Sequence, residues 1–289
     1  MNSLEQHNQL KSVFLYDTTL RDGAQKKGIS YSLDDKLRIA KLLDSMGVAY
    51  IEGGWPGSNP KDMEFFNQVK KLGLKNSKVV AFGSTRRAGT SAHEDMNLIS
   101  LIEAETETVA LVGKSSSLHV ESVLRTSREE NLSMIRDSVA FCKSSGKEVV
   151  FDAEHFFDGF SLDKEYAIAC LQAAADEGAD WIVLCDTNGG TLPDRVSSVV
   201  RFLDGLFPGK IGIHAHNDSE LAVANAIVAV QAGARQVQGT INGYGERCGN
   251  TNLISLVPAL QVKSGYQCIP TEQVKNLTSI SRTVSEIAN

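Results

Sequence analysis

Apolar positions along the chain follow two periodicities that take turns. Short β-branched or aromatic runs occupy 13–16, 48–52, 78–82, 108–112, 148–154, 181–185, 210–216 and 236–241, and each reads as a buried strand. Between them apolar residues recur at three- and four-residue spacing over 32–47, 61–71, 94–104, 128–144, 163–177, 194–206, 220–232 and 253–262, the spacing of a helix with one buried face. Ser32 stands where an N-cap belongs, and Gly47, Gly146, Gly178 and Gly233 stand where helices end just before strands. Strands alternating with helices through short connections predict a parallel α/β fold. Eight such units in about 250 residues predict a closed (β/α)8 TIM barrel. An open doubly wound sheet is the alternative, weakened because no dinucleotide glycine fingerprint follows the first strand.

Three segments are expected: a polar tail over 1–11, a barrel over 12–266, and a C-terminal amphipathic helix over 267–289. In the last, Val274, Leu277, Ile280, Val284 and Ile287 form one apolar stripe. Two readings of that helix stay open. Either it caps the barrel, or it continues toward another domain or subunit, in which case an exposed stripe favours a homodimer.

Composition narrows the function classes. Hydrophobic residues at 42% supply a large core, and a net charge of −6 with interspersed signs argues against a general nucleic-acid surface. An anionic substrate must therefore meet a local positive site. Cys142, Cys170, Cys185, Cys248 and Cys268 are scattered and odd in number, which fits free thiols in a reducing compartment. No apolar leader core opens the chain and no later stretch has the length of a membrane span. A cytoplasmic protein with no membrane partner is expected.

A barrel of this kind places its active site at the C-terminal strand ends. Those ends carry Asp17, Arg21 and Asp22, then Glu52, Ser84 to Arg87, and Lys114 in the first half. Asp152 and Glu154, Asp186 and Thr187, His214 and His216, and 242–250 follow in the second. His214 and His216 are two apart on a strand, so they share a face, where two imidazoles can chelate a metal or simply hydrogen-bond. Asp22 follows the first strand, which neighbours the seventh closely in an eight-strand barrel. Asn250, on a loop with glycines at 243, 245 and 249, can add an amide oxygen. With no cysteine ligands, an open site for Mg²⁺, Mn²⁺, Co²⁺ or Zn²⁺ that keeps room for a chelating substrate fits better than a closed structural zinc site. Arg86, Arg87 and Lys114 are candidate phosphate-binding residues, although exposed basic groups are commonly only solvated.

Three separated motifs carry a resemblance: 17–25 (Asp-Thr-Thr-Leu-Arg-Asp-Gly-Ala-Gln), 214–218 (His-Ala-His-Asn-Asp) and 243–250 (Gly-Tyr-Gly-Glu-Arg-Cys-Gly-Asn). Together they resemble the metal-dependent barrel enzymes that include 2-isopropylmalate, homocitrate and citramalate synthases and hydroxymethylglutaryl-CoA lyase. The stretches 52–60, 82–87 and 152–159 are most similar to the bacterial citramalate synthase branch.

The resemblance implies that Asp22, His214 and His216 bind a divalent metal, Mg²⁺ or Mn²⁺ before Zn²⁺ or Co²⁺, with Asn250 in or beside that set. Arg21 would answer negative charge on the reacting carbonyl. Glu154 would be the general acid/base, its proton affinity raised by burial and by Asp152. Gln25 and Thr187 would help Arg21 hold the 2-oxo acid. The implied partners are pyruvate and acetyl-CoA, condensed to citramalate and CoA in isoleucine biosynthesis. Isopropylmalate or homocitrate synthesis, a lyase or aldolase of the same barrel, and a silent barrel that binds metal and 2-oxo acid are the alternatives. Synthases of this kind also continue into a linker and a regulatory domain, of which 267–289 would be only the start.

Overall fold

The computed structural model describes residues 11–288; residues 1–10, most of the expected polar tail, lie outside the described residues. Eight parallel strands form a closed barrel. They are β1 Phe14–Asp17, β2 Tyr50–Gly54, β3 Lys78–Ser84 and β4 Thr108–Lys114. The second half is β5 Glu148–Glu154, β6 Trp181–Asp186, β7 Ile211–Ala215 and β8 Gln236–Gly239. Closure is made by β1 against β8, with Phe14 opposite Gln236 and Asp17 opposite Gly239. The open sheet is therefore excluded.

Local chemistry explains the outer helices. Ser32 accepts from the Asp35 amide while Asp35 accepts from the Ser32 amide, a reciprocal cap that starts Leu33–Met46. That helix ends at Gly47, whose φ of +85° lies in the left-handed region. Asp95, Ser127 and Asp163 cap Met96–Glu103, Arg128–Ser144 and Lys164–Asp176 in similar ways. The expected helix 253–262 is interrupted: Leu253–Pro258 gives way to a wider turn, Ala259–Lys263, beyond a proline that cannot donate to the helical ladder.

Side chains on the outer strand faces join the helices in one large apolar core containing Leu15, Ile51, Leu111, Phe151, Leu184 and Ile213. The inward faces form a second, smaller cluster with Tyr16, Tyr50, Phe82, Trp181 and Cys185. Successive residues of each strand supply the two in turn, the period-two alternation of a filled barrel.

Three features escaped the sequence pattern. A helix Phe156–Leu162 follows β5, a short turn of helix Ser117–His119 follows β4, and Lys11–Ser12 pairs in parallel with Tyr266–Gln267. The last helix, Leu277–Ala288, buries Leu277, Ile280, Val284 and Ala288 within this same chain. Its stripe therefore caps the barrel and presents no exposed apolar face of the kind expected to favour a homodimer. Among the described residues no helix is long and apolar enough to cross a membrane.

Candidate metal and acid–base site

The C-terminal strand ends surround a cavity of about 610 Å³. Its walls include Arg21, Asp22, Gln25, Lys114, Asp152, Glu154, Thr187, His214 and His216. All the residues given a role by the resemblance except Asn250 thus face one space, whereas the strand-end acids Asp17, Glu52 and Asp186 do not line it; Asn250 is buried alongside in an isolated bridge with His216. Gln25 lies at the exposed edge.

Asp22, His214 and His216 form the one cluster among the described residues that brings three such ligands together, with one ligand atom of each within 4.8 Å of the others. His214 Nε2 is 3.2 Å from His216 Nε2 and 3.3 Å from Asp22 Oδ2. Burial opposes charge on His214, yet the Asp22 carboxylate raises its proton affinity above the ordinary imidazole value. Burial and neighbouring His214 push His216 down to about 3. Burial also works against the Asp22 carboxylate, but Arg21 and the two histidines hold it well below the usual range. A cation between these groups would meet one formal negative charge and two nitrogen lone pairs, a mixed oxygen and nitrogen set suited to a divalent ion.

The surroundings support the fit. Both side-chain amide atoms of Asn250 and Nδ1 of His216 are buried without a hydrogen-bond partner, a costly state unless another group completes them. The loop holding Asn250 turns on Gly249 (φ +94°), where a Cβ would stand 2.0 Å from the Gly243 carbonyl oxygen. Only glycine lets that loop close beside His216. Arg247 clamps it from outside, gripping Asp218 through two nitrogens and donating to the Thr187 carbonyl at 2.6 Å.

Arg21 is held from three sides. Its Nε pairs with Glu52, its Nη2 lies 3.8 Å from Asp22, and its guanidinium carbon sits 3.9 Å over the Phe82 ring. Glu52 is fully buried and also accepts from the Tyr16 hydroxyl at 2.5 Å. Glu52 therefore positions the arginine, a role that strand-end chemistry alone did not reveal.

Opposite the metal cluster, Lys114 and Glu154 are register neighbours on β4 and β5 and form an ion pair. Glu154 is not buried as expected, since its side chain is 26% exposed. The pocket acid with raised proton affinity is Asp152, pushed up to about 7 by burial and then by the charge of Glu52. Thr187 accepts from the His155 amide at 2.8 Å, leaving its own proton to donate. Lys114 is committed to Glu154, and Arg86 is taken up by Glu130 and Asp137. Neither is a free phosphate anchor, while Arg87 is exposed at the cavity edge.

Gln238 was absent from the sequence candidates. It is buried inside the barrel, with its amide between His214 and Asp152. The signal was available: two amides, Gln236 and Gln238, share the inward face of an otherwise buried strand.

Comparison with known proteins gives the family and the fold. A family model described as HMGL-like matches residues 12–284. The chain is 55% identical over 280 residues to an (R)-citramalate synthase of Aquifex aeolicus, covering 96% of this chain and 53% of the relative. It is 36% identical over 258 residues to a probable 2-isopropylmalate synthase of Ignicoccus hospitalis, covering 89% of this chain and 62% of the relative. The chain spans about half the length of the curated citramalate synthases it matches. Its fold is that of the Bacillus subtilis HMG-CoA lyase, with a TM-score of 0.79 at 19% identity over 96% of this chain and 93% of that one.

Proposed function

The chain belongs to the HMGL-like family, and from that premise we propose that it is the barrel portion of a citramalate synthase, joining acetyl-CoA to pyruvate. The supporting observation is one cavity lined by three converging candidate metal ligands, a buttressed arginine and a carboxylate paired with a lysine. The pyruvate assignment is supported by the greater identity to a citramalate synthase than to a 2-isopropylmalate synthase.

Asp22, His214 and His216 would hold the ion, Mg²⁺ or Mn²⁺ in this reading, with Asn250 supplying an amide oxygen nearby. When bound, such an ion supplies Lewis acidity toward the two oxygens of a 2-oxo acid. Glu154 takes a proton from the acetyl methyl group, and Lys114 holds that carboxylate in place. The methyl carbon then bonds to the ketone carbon, whose oxygen gains the electron pair and then a proton, while Glu154 gives up the one it took. Arg21, fixed by Glu52, answers that charge without having to reorganise. Thr187 and Gln25 orient the 2-oxo acid. Water then cleaves the thioester, giving the citramalate carboxylate and releasing the CoA thiol.

The test is free CoA release with acetyl-CoA, Mn²⁺ and, in separate assays, pyruvate, 2-oxoisovalerate and 2-oxoglutarate. Release with pyruvate alone, lost in Arg21→Ala, is the expected result. Release with 2-oxoisovalerate and not pyruvate would overturn the substrate assignment, and none with any acceptor would overturn activity of this barrel by itself.

A further inference from the structure

Strand β8 turns two amides into a barrel whose interior is largely apolar. Burying an amide costs free energy unless its donors and acceptor are met. Gln238 meets that demand in one orientation. Its Nε2 donates to Asp152 Oδ1 at 2.8 Å and faces Gln236 Oε1 at 3.5 Å. Its Oε1 is left 2.7 Å from Nδ1 of His214, its register partner on β7.

An amide oxygen only accepts, so Nδ1 of His214 must be the donor. In a neutral imidazole the lone pair then resides on Nε2. Nε2 is the atom that converges with His216 Nε2 and Asp22. Buried Nδ1 of His216 has no hydrogen-bond partner. The two imidazoles thus differ: one has its proton assigned in advance by a buried side chain, and the other does not.

We propose that Gln238 is a positioning residue for the metal site, holding His214 in the tautomer that offers Nε2 and tying it to Asp152 in the cavity wall. This rests on the metal reading of Asp22, His214 and His216. The partner behind a ligating histidine typically changes metal affinity by about 10–100-fold when removed. Gln238 supplies that partner from an amide that the wall carboxylate orients.

The experiment compares wild type with Gln238→Leu, which loses both contacts, and Gln238→Glu, which keeps an acceptor toward His214. Imidazole ¹⁵N spectra are recorded on the metal-free proteins over a rising pH series, and tautomers are compared where the His214 signals show the neutral ring, since Asp22 raises its proton affinity. Mn²⁺ affinity is read from the free-ion electron paramagnetic resonance signal.

The expected result is a wild-type His214 protonated on Nδ1, a mixed tautomer in Gln238→Leu with Mn²⁺ binding weakened about 10–100-fold, and recovery of most of that affinity in Gln238→Glu. An unchanged His214 tautomer and unchanged Mn²⁺ affinity in Gln238→Leu would overturn the proposal. If Gln238→Leu does not fold, Gln238→Glu decides: an affinity as poor as that of His214→Ala overturns the proposal, and near-wild-type affinity with Nδ1 protonated supports it. Absence of Mn²⁺ binding by wild type would overturn the metal reading, while the tautomer comparison would still decide the role of Gln238.

Discussion

At the N-terminal end of the barrel, Glu148 accepts from the Tyr50 hydroxyl at 2.7 Å, from Lys78 at 2.7 Å and from Thr108 at 2.8 Å. Trp181 donates to Tyr50 in turn, and Phe14 packs edge-on against the Trp181 ring. Partial burial disfavours the Glu148 carboxylate, yet these donors hold its pKa below the ordinary value. At the other end the polar groups are less complete. Asn250 has both amide atoms unpaired, His216 has a free buried nitrogen, and Asp152 shares the pocket wall with a single amide donor. Around Glu148 one end closes its hydrogen bonds within the chain. The other leaves several open in or beside a cavity, whereas Gln236 Nε2 is the unpaired buried atom at the start of β8. Unmet polarity is concentrated around the candidate metal ligands, where Asn250 and His216 hold three unpaired buried atoms.

The largest effect that would sharpen this contrast is at Glu154. Glu154→Gln is expected to lower CoA release with pyruvate by about 10²–10⁴-fold with an unchanged melting temperature. An active variant would remove Glu154 from the chemistry. Next, Arg21→Lys keeps charge but loses the planar fork that Glu52 grips, and a fall of about 10²–10³-fold is expected. The Mn²⁺ affinity measured beside it should change little, since Arg21 is not a proposed ligand.

Glu148→Ala tests the opposite end. It leaves Tyr50, Lys78 and Thr108 without their acceptor and should lower unfolding free energy by about 1–3 kcal/mol in urea, with specific activity retained by the folded fraction. Loss of activity without loss of stability would break the comparison.

The last effect is read as a slope and not as a loss: it comes from Asp17, a fully buried carboxyl at the end of β1 that accepts twice from Thr19. Burial pushes its pKa from 3.8 up to about 7. Between those values the folded chain keeps a proton that the unfolded chain releases. This contribution therefore weakens stability as pH rises from about 4 to about 7, by at most about 1.4 kcal/mol per pH unit. Asp17→Asn should flatten that segment of a pH–stability curve, and an unaltered slope would show that Asp17 titrates normally.

Much of this architecture was legible because it depends on periodicity. Residues Arg128–Ser144 and Glu148–Glu154 have the expected bounds, and Lys164–Asp176 lies just inside its own. The convergence of Asp22, His214 and His216 was legible because the two histidines lie two apart on one strand and Asp22 follows the strand that closes the barrel. The place of Glu154 on the cavity wall was legible from its strand-end position, but its pairing with Lys114 across β4 and β5 depends on register, which one strand's pattern does not contain. For the same reason Gln238 was missed: its meaning arises only when β7 and β8 align it with His214. Phe156–Leu162 escaped because seven residues are too few to display a helical period.

Barrel closure between β1 and β8 also has a meaning in time. A ribosome extends a chain at about 5–20 residues per second, so Asp22 is synthesised on the order of ten seconds or more before His214. Until β8 follows, β1 has one hydrogen-bonding edge without its native neighbour, a template for wrong pairing. The three converging ligands exist together only after the final strand docks. A divalent ion held there would register completed closure, slowing unfolding while leaving the folding rate nearly unchanged.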